Sequence, residues 1–525
     1  MGRFLIKNAL LVDGSGSVPE RYDVLTENEL IKFVGRDITA SAADIVIDAE
    51  GLILCPGFID PHGHSDISIL AAPEAAGKLT QGVTTEVSGN CGLSVFPVTD
   101  MNADHLNEIY RNYGEKISWK DINGYAAEVK RREPAMNIVS LCGHNTLRAS
   151  VAGYGNLSLS AAQIDEMKKQ LDFSLKNGAA GFSTGLIYIP GKFAPDSEIL
   201  ELLRELVPYG KPYTTHLRSE GKRLVESINE TIGISLAAGI PRLHISHLKT
   251  SGKDNWKKLD DALSAIYEGR EKGLEITADR YPYTESMTEL GILVPPPYEQ
   301  MDSVSLENFL KNEDNFKAFV KKLEEFPENY WSTVRLLSAS VPRLEPLFGK
   351  VLSEIAAALH RKPALLCSEI LRKDASGAAA AFQGMDRGNK LRILKESFVC
   401  CCTDETARPL DYSMGRSHPR GFGSFPRFIK ILEKEMKLEK IIEKMTSLPA
   451  SVFGLKNRGG ISEGYAADML LFNPSELEDT ADFANPHLSA GGIRKVWVNG
   501  SLAYDNGKIS RKRTGVFIKN EKTRR

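Results

Sequence analysis

Short apolar runs separated by turn residues occupy both ends of the chain. They lie at 4–6, 9–12, 31–34 and 45–47 near the N-terminus, and at 467–472, 493–498 and 515–518 near the C-terminus. Apolar runs of this length between clusters of Gly, Asp, Asn and Ser are typical of β-strands. The pattern predicts that segments 1–55 and 452–525 are rich in β-structure.

Between these ends, short β-like runs alternate with longer helical stretches. The predicted strands lie at 52–59, 83–88, 137–142, 180–183, 212–217, 242–247, 274–279 and 398–403. Strand–helix alternation is typical of a parallel sheet, and eight such units are enough to close a (β/α)8 barrel of the triosephosphate-isomerase type. The sequence therefore predicts an α/β fold with a barrel over 56–451.

One long gap interrupts this alternation, between the seventh and the eighth predicted strands. Its segment 286–361 is rich in Glu, Lys and Leu, and it reads as helical. Since βα loops emerge at the active-site face of a barrel, an insertion here could cover the substrate pocket. The alternative interpretation is a long decorated loop with no such role.

Composition and charge narrow the classes of function. The 525 residues are 42% hydrophobic and 26% charged, with a net charge of −2. This balance gives no general basic field for nucleic acid, and no apolar run is long enough to span a membrane. Seven cysteines without a CxxC pair do not form the pattern of a disulfide framework, so we expect a cytoplasmic protein.

The segment Pro56-Gly-Phe-Ile-Asp-Pro-His-Gly-His64 carries the clearest chemical signal. His62 and His64 are two residues apart at the end of an apolar run. On a strand, residues at this spacing point to the same side. At the carboxyl end of the first barrel strand, two imidazoles could therefore hold one metal ion.

Further candidate ligands follow other predicted strands: Cys91, His216, His247 and Asp404. Imidazole nitrogen, thiolate sulfur and carboxylate oxygen together suit zinc. Six ligands exceed one tetrahedral shell, so both a binuclear site bridged by Cys91 and a mononuclear site with spare groups fit the residues. His244 lies three positions before His247, and strand alternation predicts that it points to the other face.

These motifs resemble those of the amidohydrolase superfamily, and within it the D-aminoacylase (N-acyl-D-amino-acid deacylase) family. The resemblance covers essentially the whole chain. It rests on His62-Gly-His64, Gly-Asn-Cys91-Gly, Gly143-His-Asn-Thr-Leu-Arg148, Gly181-Phe-Ser-Thr-Gly-Leu-Ile-Tyr188, His216-Leu-Arg-Ser-Glu-Gly221, His247-Leu-Lys249, Asp279-Arg-Tyr-Pro-Tyr283, His418-Pro-Arg420 and Gly459-Gly-Ile-Ser-Glu-Gly-Tyr-Ala-Ala-Asp468. In this family a cysteine, matched here by Cys91, takes the place of the carboxylated lysine that bridges the metals of many superfamily members.

The resemblance implies an architecture and a division of the ligands. The two β-rich ends would join into a small β-sandwich beside the barrel. Cys91, His216 and His247 would hold the tighter zinc ion, and His62, His64 and Asp404 would form a second site. Asp404 is also the expected general acid/base, because a carboxylate beside the metal can take a proton from water and return it to the leaving amine.

The resemblance also implies residues that bind the substrate. A lysine and two tyrosines near the metal would hold the α-carboxylate of the amino acid, and the matching positions are Tyr188, Lys249 and Tyr283. Further candidates for the pocket are Arg218, Ser286, Arg408 and His418.

The predicted function is zinc-dependent hydrolysis of N-acyl-D-amino acids, which releases a D-amino acid and a carboxylate. The partner is therefore a small molecule, with one or two Zn²⁺ ions as cofactor, and the oligomeric state stays open. The enzyme alternatives are a hydantoinase, a dihydroorotase or a dipeptidase, and the alternative from another class is a non-catalytic barrel protein.

Overall fold

The computed structural model describes residues 2–520, which adopt a mixed α/β fold. Its strands are β1 (Arg3–Leu11), β2 (Glu20–Glu27), β3 (Leu30–Gly35), β4 (Ile45–Asp48), β5 (Ile53–Pro56), β6 (Phe58–Asp60), β7 (Val83–Ser88), β8 (Asn137–Ser140), β9 (Cys142–Gly143), β10 (Phe182–Gly185), β11 (Tyr213–His216), β12 (Arg242–Ile245), β13 (Glu275–Arg280), β14 (Glu285–Glu289), β15 (Val334–Ser338), β16 (Ala379–Gln383), β17 (Val399–Cys401), β18 (Met469–Phe472), β19 (Ile493–Val498), β20 (Ser501–Asp505) and β21 (Lys508–Ile509).

The α-helices occupy the part of the chain between β6 and β18. They are α1 (Ser68–Ala71), α2 (Ala76–Leu79), α3 (Ala103–Ile109), α4 (Ile122–Arg132), α5 (His144–Ala152), α6 (Ala161–Lys176), α7 (Asp196–Arg204), α8 (Leu224–Ala238), α9 (Leu259–Glu271), α10 (Ser303–Phe309), α11 (Glu313–Leu323), α12 (Leu352–Ala358), α13 (Pro363–Asp374), α14 (Arg387–Lys395), α15 (Arg420–Leu432), α16 (Leu438–Glu443) and α17 (Ser447–Val452). Among residues 2–520, none of these helices has the length and apolar character that a membrane span requires.

One nine-stranded sheet contains strands from both ends of the chain. Its order is β21-β20-β19-β18-β5-β1-β2-β3, and β4 pairs with β1. The two ends meet where β18 pairs antiparallel with β5, with Leu470 opposite Cys55. One set of its side chains, including Ile6, Val24 and Trp497, forms an apolar core of its own. The predicted joining of the two terminal segments is therefore present in this sheet.

The strands that precede the predicted ligands lie in two parallel sheets. One sheet has the order β6-β7-β8, and the other has the order β9-β10-β11-β12-β13-β17. Only Leu141 separates β8 from β9, so the two sheets are consecutive along the chain. At the opposite edges, the backbone N–H of Asp404 donates to the carbonyl of His62 at 2.8 Å. These strands correspond to the predicted ones within a few residues.

The first predicted strand, 52–59, differs from the prediction because it is split in two. Its first half is β5, in the terminal sheet, and its second half is β6, in a parallel sheet. Gly57 lies between them, where an added Cβ would come within 2.2 Å of the Thr84 side chain. A side chain at this crossing has no room, which explains why glycine stands where the chain passes from one sheet to the other.

The helices cover the parallel strands through their apolar faces. In α8 the buried positions include Leu224, Ile228 and Ile232, spaced by one helical turn. Residues at this spacing form one stripe along a helix, so a single face is removed from water. Together with the parallel strands, these stripes form the largest apolar core of the described residues.

The segment between β13 and β17 folds around a separate core. Strands β14, β16 and β15 form an antiparallel sheet; α12 contacts β15, and α10, α11 and α12 pack against α13. The core includes Leu306, Phe319, Ile355 and Leu371. The sequence predicted helix over 286–361, and the structure adds the sheet. Its central strand, β16, reads Ala-Ala-Ala-Phe-Gln and lies beyond 361, so local propensity gave no sign of the pairing.

Candidate metal centre

The six predicted ligands lie together at the carboxyl ends of the parallel strands. His216 is the last residue of β11, and each of the others follows a strand by one to four residues. His62, Cys91, His216, His247 and Asp404 are buried, and the His64 side chain is 25% exposed. The chain therefore concentrates six chemically reactive groups at one edge of its parallel sheets.

The Cys91 thiol is the common neighbour of three imidazoles. Its Sγ lies 3.4 Å from His62 Nε2, 3.5 Å from His216 Nδ1 and 3.5 Å from His247 Nε2. Burial by itself would raise the pKa of the thiol, but the charge of His62 and hydrogen bonds from the imidazoles hold that pKa well below its usual value. Cys91 is therefore disposed to be a thiolate, the form that binds metal.

Asp404 lies at the other side of His62. Its Oδ1 is 3.2 Å from His64 Nε2 and 3.5 Å from His62 Nε2, and its Oδ2 accepts a hydrogen bond from Arg420 at 2.8 Å. Burial would raise the pKa of the Asp404 carboxyl, but the Arg420 charge and the histidines hold it well below the usual range. His62 is shared by the Cys91 and Asp404 groups.

Three of the ligand residues have positive φ angles. The φ angle is +53° at Cys91, +35° at His247 and +51° at Asp404. Residues with a Cβ rarely adopt this left-handed region, and such strain collects at functional sites. The backbone at Gly185 also passes very close to that of Cys91. A Cβ on Gly185 would lie 1.9 Å from the Cys91 carbonyl oxygen, so only glycine fits there.

Asp279 was missed as a site residue, although it begins one of the motifs quoted above. Its Oδ2 contacts His62 Nδ1 at 3.1 Å and His244 Nε2 at 2.9 Å, and its Oδ1 accepts from the His247 backbone N–H at 2.8 Å. The prediction that His244 points away from the site is wrong. Strand β12 ends at Ile245, so alternation does not continue to His247.

Glu220 was also missed, and it belongs to the same cluster. Its Oε1 lies 2.8 Å from His247 Nδ1 and pairs with the Lys249 ammonium. Glu220 lies four residues after His216 in the loop that follows β11. In the sequence, Glu220 is distinguished only by its nearness to the predicted ligand His216. Carboxylates near histidines are too common for this to mark Glu220 as a site residue.

Lys249 and Tyr188, predicted to bind the substrate, lie beside the predicted metal ligands. Lys249 is buried, and its Nζ lies 2.8 Å from His247 Nδ1. The Tyr188 ring packs edge-on against His216, with 5.0 Å between ring centroids. The Tyr188 hydroxyl is 3.3 Å from Thr288 Oγ1 on β14, so the inserted segment contacts this side of the site.

Tyr283 and His418 lie close to each other near Arg420. The Tyr283 hydroxyl donates to Asp479 at 2.8 Å, and its ring lies 5.2 Å from that of His418. His418 Nδ1 accepts from the Arg420 backbone N–H at 2.9 Å. The Tyr281 ring, which the sequence did not single out, lies 4.6 Å from the Arg420 guanidinium, and its buried hydroxyl has no hydrogen-bond partner among residues 2–520.

The remaining predicted pocket residues have other neighbours. Arg218 Nε donates to Glu230 on α8 at 2.9 Å. Arg408 donates to the Met414 carbonyl. Ser286 lies on β14, opposite Phe382 of β16. These contacts join the three residues to neighbours other than the predicted metal ligands.

The donor atoms form three groups within which all atoms lie within 4.8 Å of one another. They are His62–Cys91–His247, His62–His64–Asp404 and His216–Glu220–His247. This set of imidazoles, one thiolate and carboxylates fits zinc in donor chemistry and in spacing.

Comparison with known proteins points to one family. The Amidohydrolase family model matches residues 45–197 and 423–504. The chain is 31% identical to N-acyl-D-glutamate deacylase of Alcaligenes xylosoxydans xylosoxydans over 95% of its own length and 93% of that protein. It is 30% identical to the D-aminoacylase of the same organism over 98% and 97% of the two lengths.

Solved structures agree with this result. N-acyl-D-glutamate deacylase from Bordetella bronchiseptica, complexed with zinc and a phosphonate inhibitor, has a TM-score of 0.82 at 29% identity, covering 98% of this chain and 99% of that one. A D-aminoacylase structure has a TM-score of 0.80 at 29% identity, with the same coverage. A dihydropyrimidinase from Brevibacillus agri, at 15% identity, shares the fold only.

The chain therefore belongs to the amidohydrolase family, and it is a hydrolase that acts on C–N bonds. Within that family, its near relatives along the whole length place it with the D-aminoacylases.

Proposed function

We propose that the protein hydrolyses the amide bond of N-acyl-D-amino acids and releases a D-amino acid and a carboxylate. The observation that carries the proposal is the Cys91 thiol among three imidazoles, in a chain similar over nearly its full length to N-acyl-D-glutamate deacylase and D-aminoacylase. A thiol with a lowered pKa ionises readily to the thiolate, which is a soft sulfur ligand of the kind that binds zinc.

Zinc is the proposed cofactor, held by the predicted ligands. Cys91, His216 and His247 would hold one ion, and His62, His64 and Asp404 would hold a second. When bound, zinc lowers the pKa of a coordinated water to about 7 and polarises a carbonyl oxygen. The buried Asp279 carboxylate would keep His62 oriented through its Nδ1 atom.

Asp404 is the proposed general acid/base. Because Arg420 and the histidines keep its pKa low, Asp404 is ionised at neutral pH and able to take a proton from the attacking water. The proton would then pass to the nitrogen of the leaving amine. His64 at 3.2 Å and Arg420 at 2.8 Å hold the two carboxylate oxygens in place for this transfer.

The substrate carboxylate is proposed to bind near Lys249, Tyr188 and Arg420. Lys249 contacts His247, and Tyr188 contacts His216. A substrate carboxylate bound beside them would therefore lie close to the proposed zinc ligands, and so would the scissile bond. The buried hydroxyl of Tyr281 is a further donor beside Arg420. Tyr283 and His418 would support this site indirectly. The Tyr283 hydroxyl is hydrogen-bonded to Asp479, and His418 accepts a hydrogen bond from the Arg420 backbone N–H.

The proposed architecture is one (β/α)8 barrel over 56–451 with a terminal β-sandwich of 1–55 and 452–525. Support for closure comes from the consecutive parallel sheets and from the bond between Asp404 and His62 at their outer edges. The inserted unit, predicted at 286–361, reaches β16 in the structure and contacts Tyr188 through Thr288. It is therefore proposed to form one wall of the substrate pocket.

A substrate panel tests the proposal directly. Purified zinc-loaded protein would be assayed with N-acetyl-D-amino acids, their L counterparts, and cyclic amides such as hydantoins and dihydroorotate. Preference for the D-series is expected. Turnover of the cyclic amides alone would show that the protein is a cyclic amidase instead.

A further inference from the structure

Glu220 is a carboxylate at the metal centre to which neither proposed zinc site assigns a role. Its side chain is 13% exposed, and it lies on the far side of two histidines from Cys91. His216 and His247 each direct one ring nitrogen to Cys91 Sγ, both at 3.5 Å, through Nδ1 and Nε2 respectively. The other nitrogen of each ring is directed to Glu220.

The two contacts to Glu220 differ in length. Its Oε1 lies 2.8 Å from His247 Nδ1, and its Oε2 lies 3.8 Å from His216 Nε2. A histidine that binds metal through one nitrogen carries hydrogen on the other, and a carboxylate acceptor there fixes the tautomer and the ring orientation. Only the contact to His247 is short enough for a hydrogen bond, so Glu220 stands directly behind His247, with His216 as a more distant neighbour.

Lys249 shares the same carboxylate oxygen. Its Nζ pairs with Glu220 Oε1 and also lies 2.8 Å from His247 Nδ1. An ammonium only donates, and a protonated Nδ1 cannot accept from it. A carboxylate only accepts and has several lone pairs, so Glu220 is the group able to serve His247 and Lys249 together.

A direct metal-binding role for Glu220 is disfavoured by this lysine. Glu220, His216 and His247 do form a donor group within 4.8 Å. The Lys249 ammonium, however, pairs with Glu220 Oε1, and a cation bound to this carboxylate would lie close to that ammonium and be repelled by it.

We propose that Glu220 is a positioning residue that orients His247 as a zinc ligand and holds the Lys249 ammonium at the substrate site. The zinc-ligand part stands on the cluster geometry alone. The Lys249 part rests on the proposed function, because it concerns a lysine that binds the substrate carboxylate.

Zinc affinity tests the first part. Metal-free wild type, Glu220→Met and Glu220→Gln would be titrated with zinc against a chromophoric chelator. Glu220→Met should bind zinc about 10–100-fold more weakly, and Glu220→Gln, which keeps an acceptor for His247, should lose less. Glu226→Met is the matched control, because Glu226 is exposed on α8. Wild-type zinc affinity in Glu220→Met, or an equal loss in Glu226→Met, would overturn the proposal.

Steady-state kinetics at saturating zinc test the second part. KM for an N-acyl-D-amino acid should rise in Glu220→Gln by a larger factor than kcat falls. In the Lys249→Met background, Glu220→Gln should raise KM no further, because the lysine it holds is absent. Full additivity of the two KM changes would overturn this part.

One further measurement separates a loss of folding from a loss of zinc binding. Thermal unfolding of each metal-free variant shows whether it is folded, and Glu220→Gln serves if Glu220→Met is not. If the wild type hydrolyses no N-acyl-D-amino acid, the proposed function fails, and the zinc titration still decides the role of Glu220 toward His247.

Discussion

At the scale of single residues, the cluster is built from side chains whose protonation depends on their neighbours. Cys91 and Cys142 are both buried, yet burial raises the pKa of the Cys142 thiol to about 12, while His62, His216 and His247 hold that of Cys91 well below its usual value. The cysteine residue type alone could not reveal this difference. The place of Cys91 after the second predicted strand, in the Gly-Asn-Cys-Gly motif, predicted that this cysteine is a metal ligand.

Replacing Cys91 should remove zinc. Cys91→Ala deletes the thiolate that three imidazoles surround, so we expect at least one equivalent of zinc to be lost. Elemental analysis after gel filtration measures this. Cys142→Ala is the matched control, since it removes a buried neutral thiol, and it should keep wild-type zinc content. Full zinc content in Cys91→Ala would contradict the ligand assignment.

Replacing Asp404, the proposed general base, should affect turnover far more than folding. Asp404→Asn keeps the shape of the side chain but cannot accept the proton, so kcat should fall about 10²–10⁴-fold. Initial-rate measurements on the preferred N-acyl-D-amino acid check this, and the exposed Asp100→Asn should be neutral. If Asp404→Asn kept more than a tenth of wild-type kcat, another residue would have to serve as the base.

At the scale of elements, a buried charge cluster fastens the loops that carry His62 and Asp404. Lys78 on α2 donates to Asp60 at 2.8 Å and contacts Glu86 of β7 at 2.8 Å. Asp60 in turn accepts from the backbone N–H groups of His62 at 3.2 Å and Thr403 at 3.1 Å. The ends of β6 and β17 are therefore held to one carboxylate, whose charge Lys78 balances.

Breaking this cluster should cost substantial stability. Lys78→Met leaves the Asp60 and Glu86 carboxylates buried without their cation, and breaking a buried pair in this way costs about 3–5 kcal/mol. Urea unfolding monitored by circular dichroism measures the change in the free energy of unfolding. Lys116→Met, at an exposed lysine, should change it by less than about 0.5 kcal/mol. A loss of under about 1 kcal/mol in Lys78→Met would show that the cluster is dispensable.

At the scale of the whole molecule, stability should depend on pH through Lys444, which follows α16. Burial lowers the pKa of its ammonium to about 8, and its Nζ donates to the Glu396 carbonyl. Because the folded pKa lies below the unfolded one, the charged form is penalised by folding. This penalty is fully present below pH 8 and disappears as the pH rises to about 10.5.

Removing the buried charge should remove this dependence. Lys444→Met is expected to be more stable than the wild type at pH 7, by about 1–3 kcal/mol, with the difference shrinking between pH 8 and pH 10. Denaturant unfolding of both proteins across this range measures it. A difference that stays constant with pH would mean that the lysine does not titrate there.

The sequence by itself determined the order of the strands and the identity of the six candidate ligands. Hydrophobic periodicity and motif spacing are local, and for that reason they indicated the parallel strands, the β-rich ends and the residues at strand ends. Tertiary structure decided the contacts between residues far apart in sequence. It split the first strand at Gly57, because that glycine packs against Thr84. It paired β14 with β16 across the insertion, and it brought Asp279, Glu220 and Arg420 against the ligands. Carboxylates and arginines are common along any chain, and only their distances from the histidines separate these three from the rest.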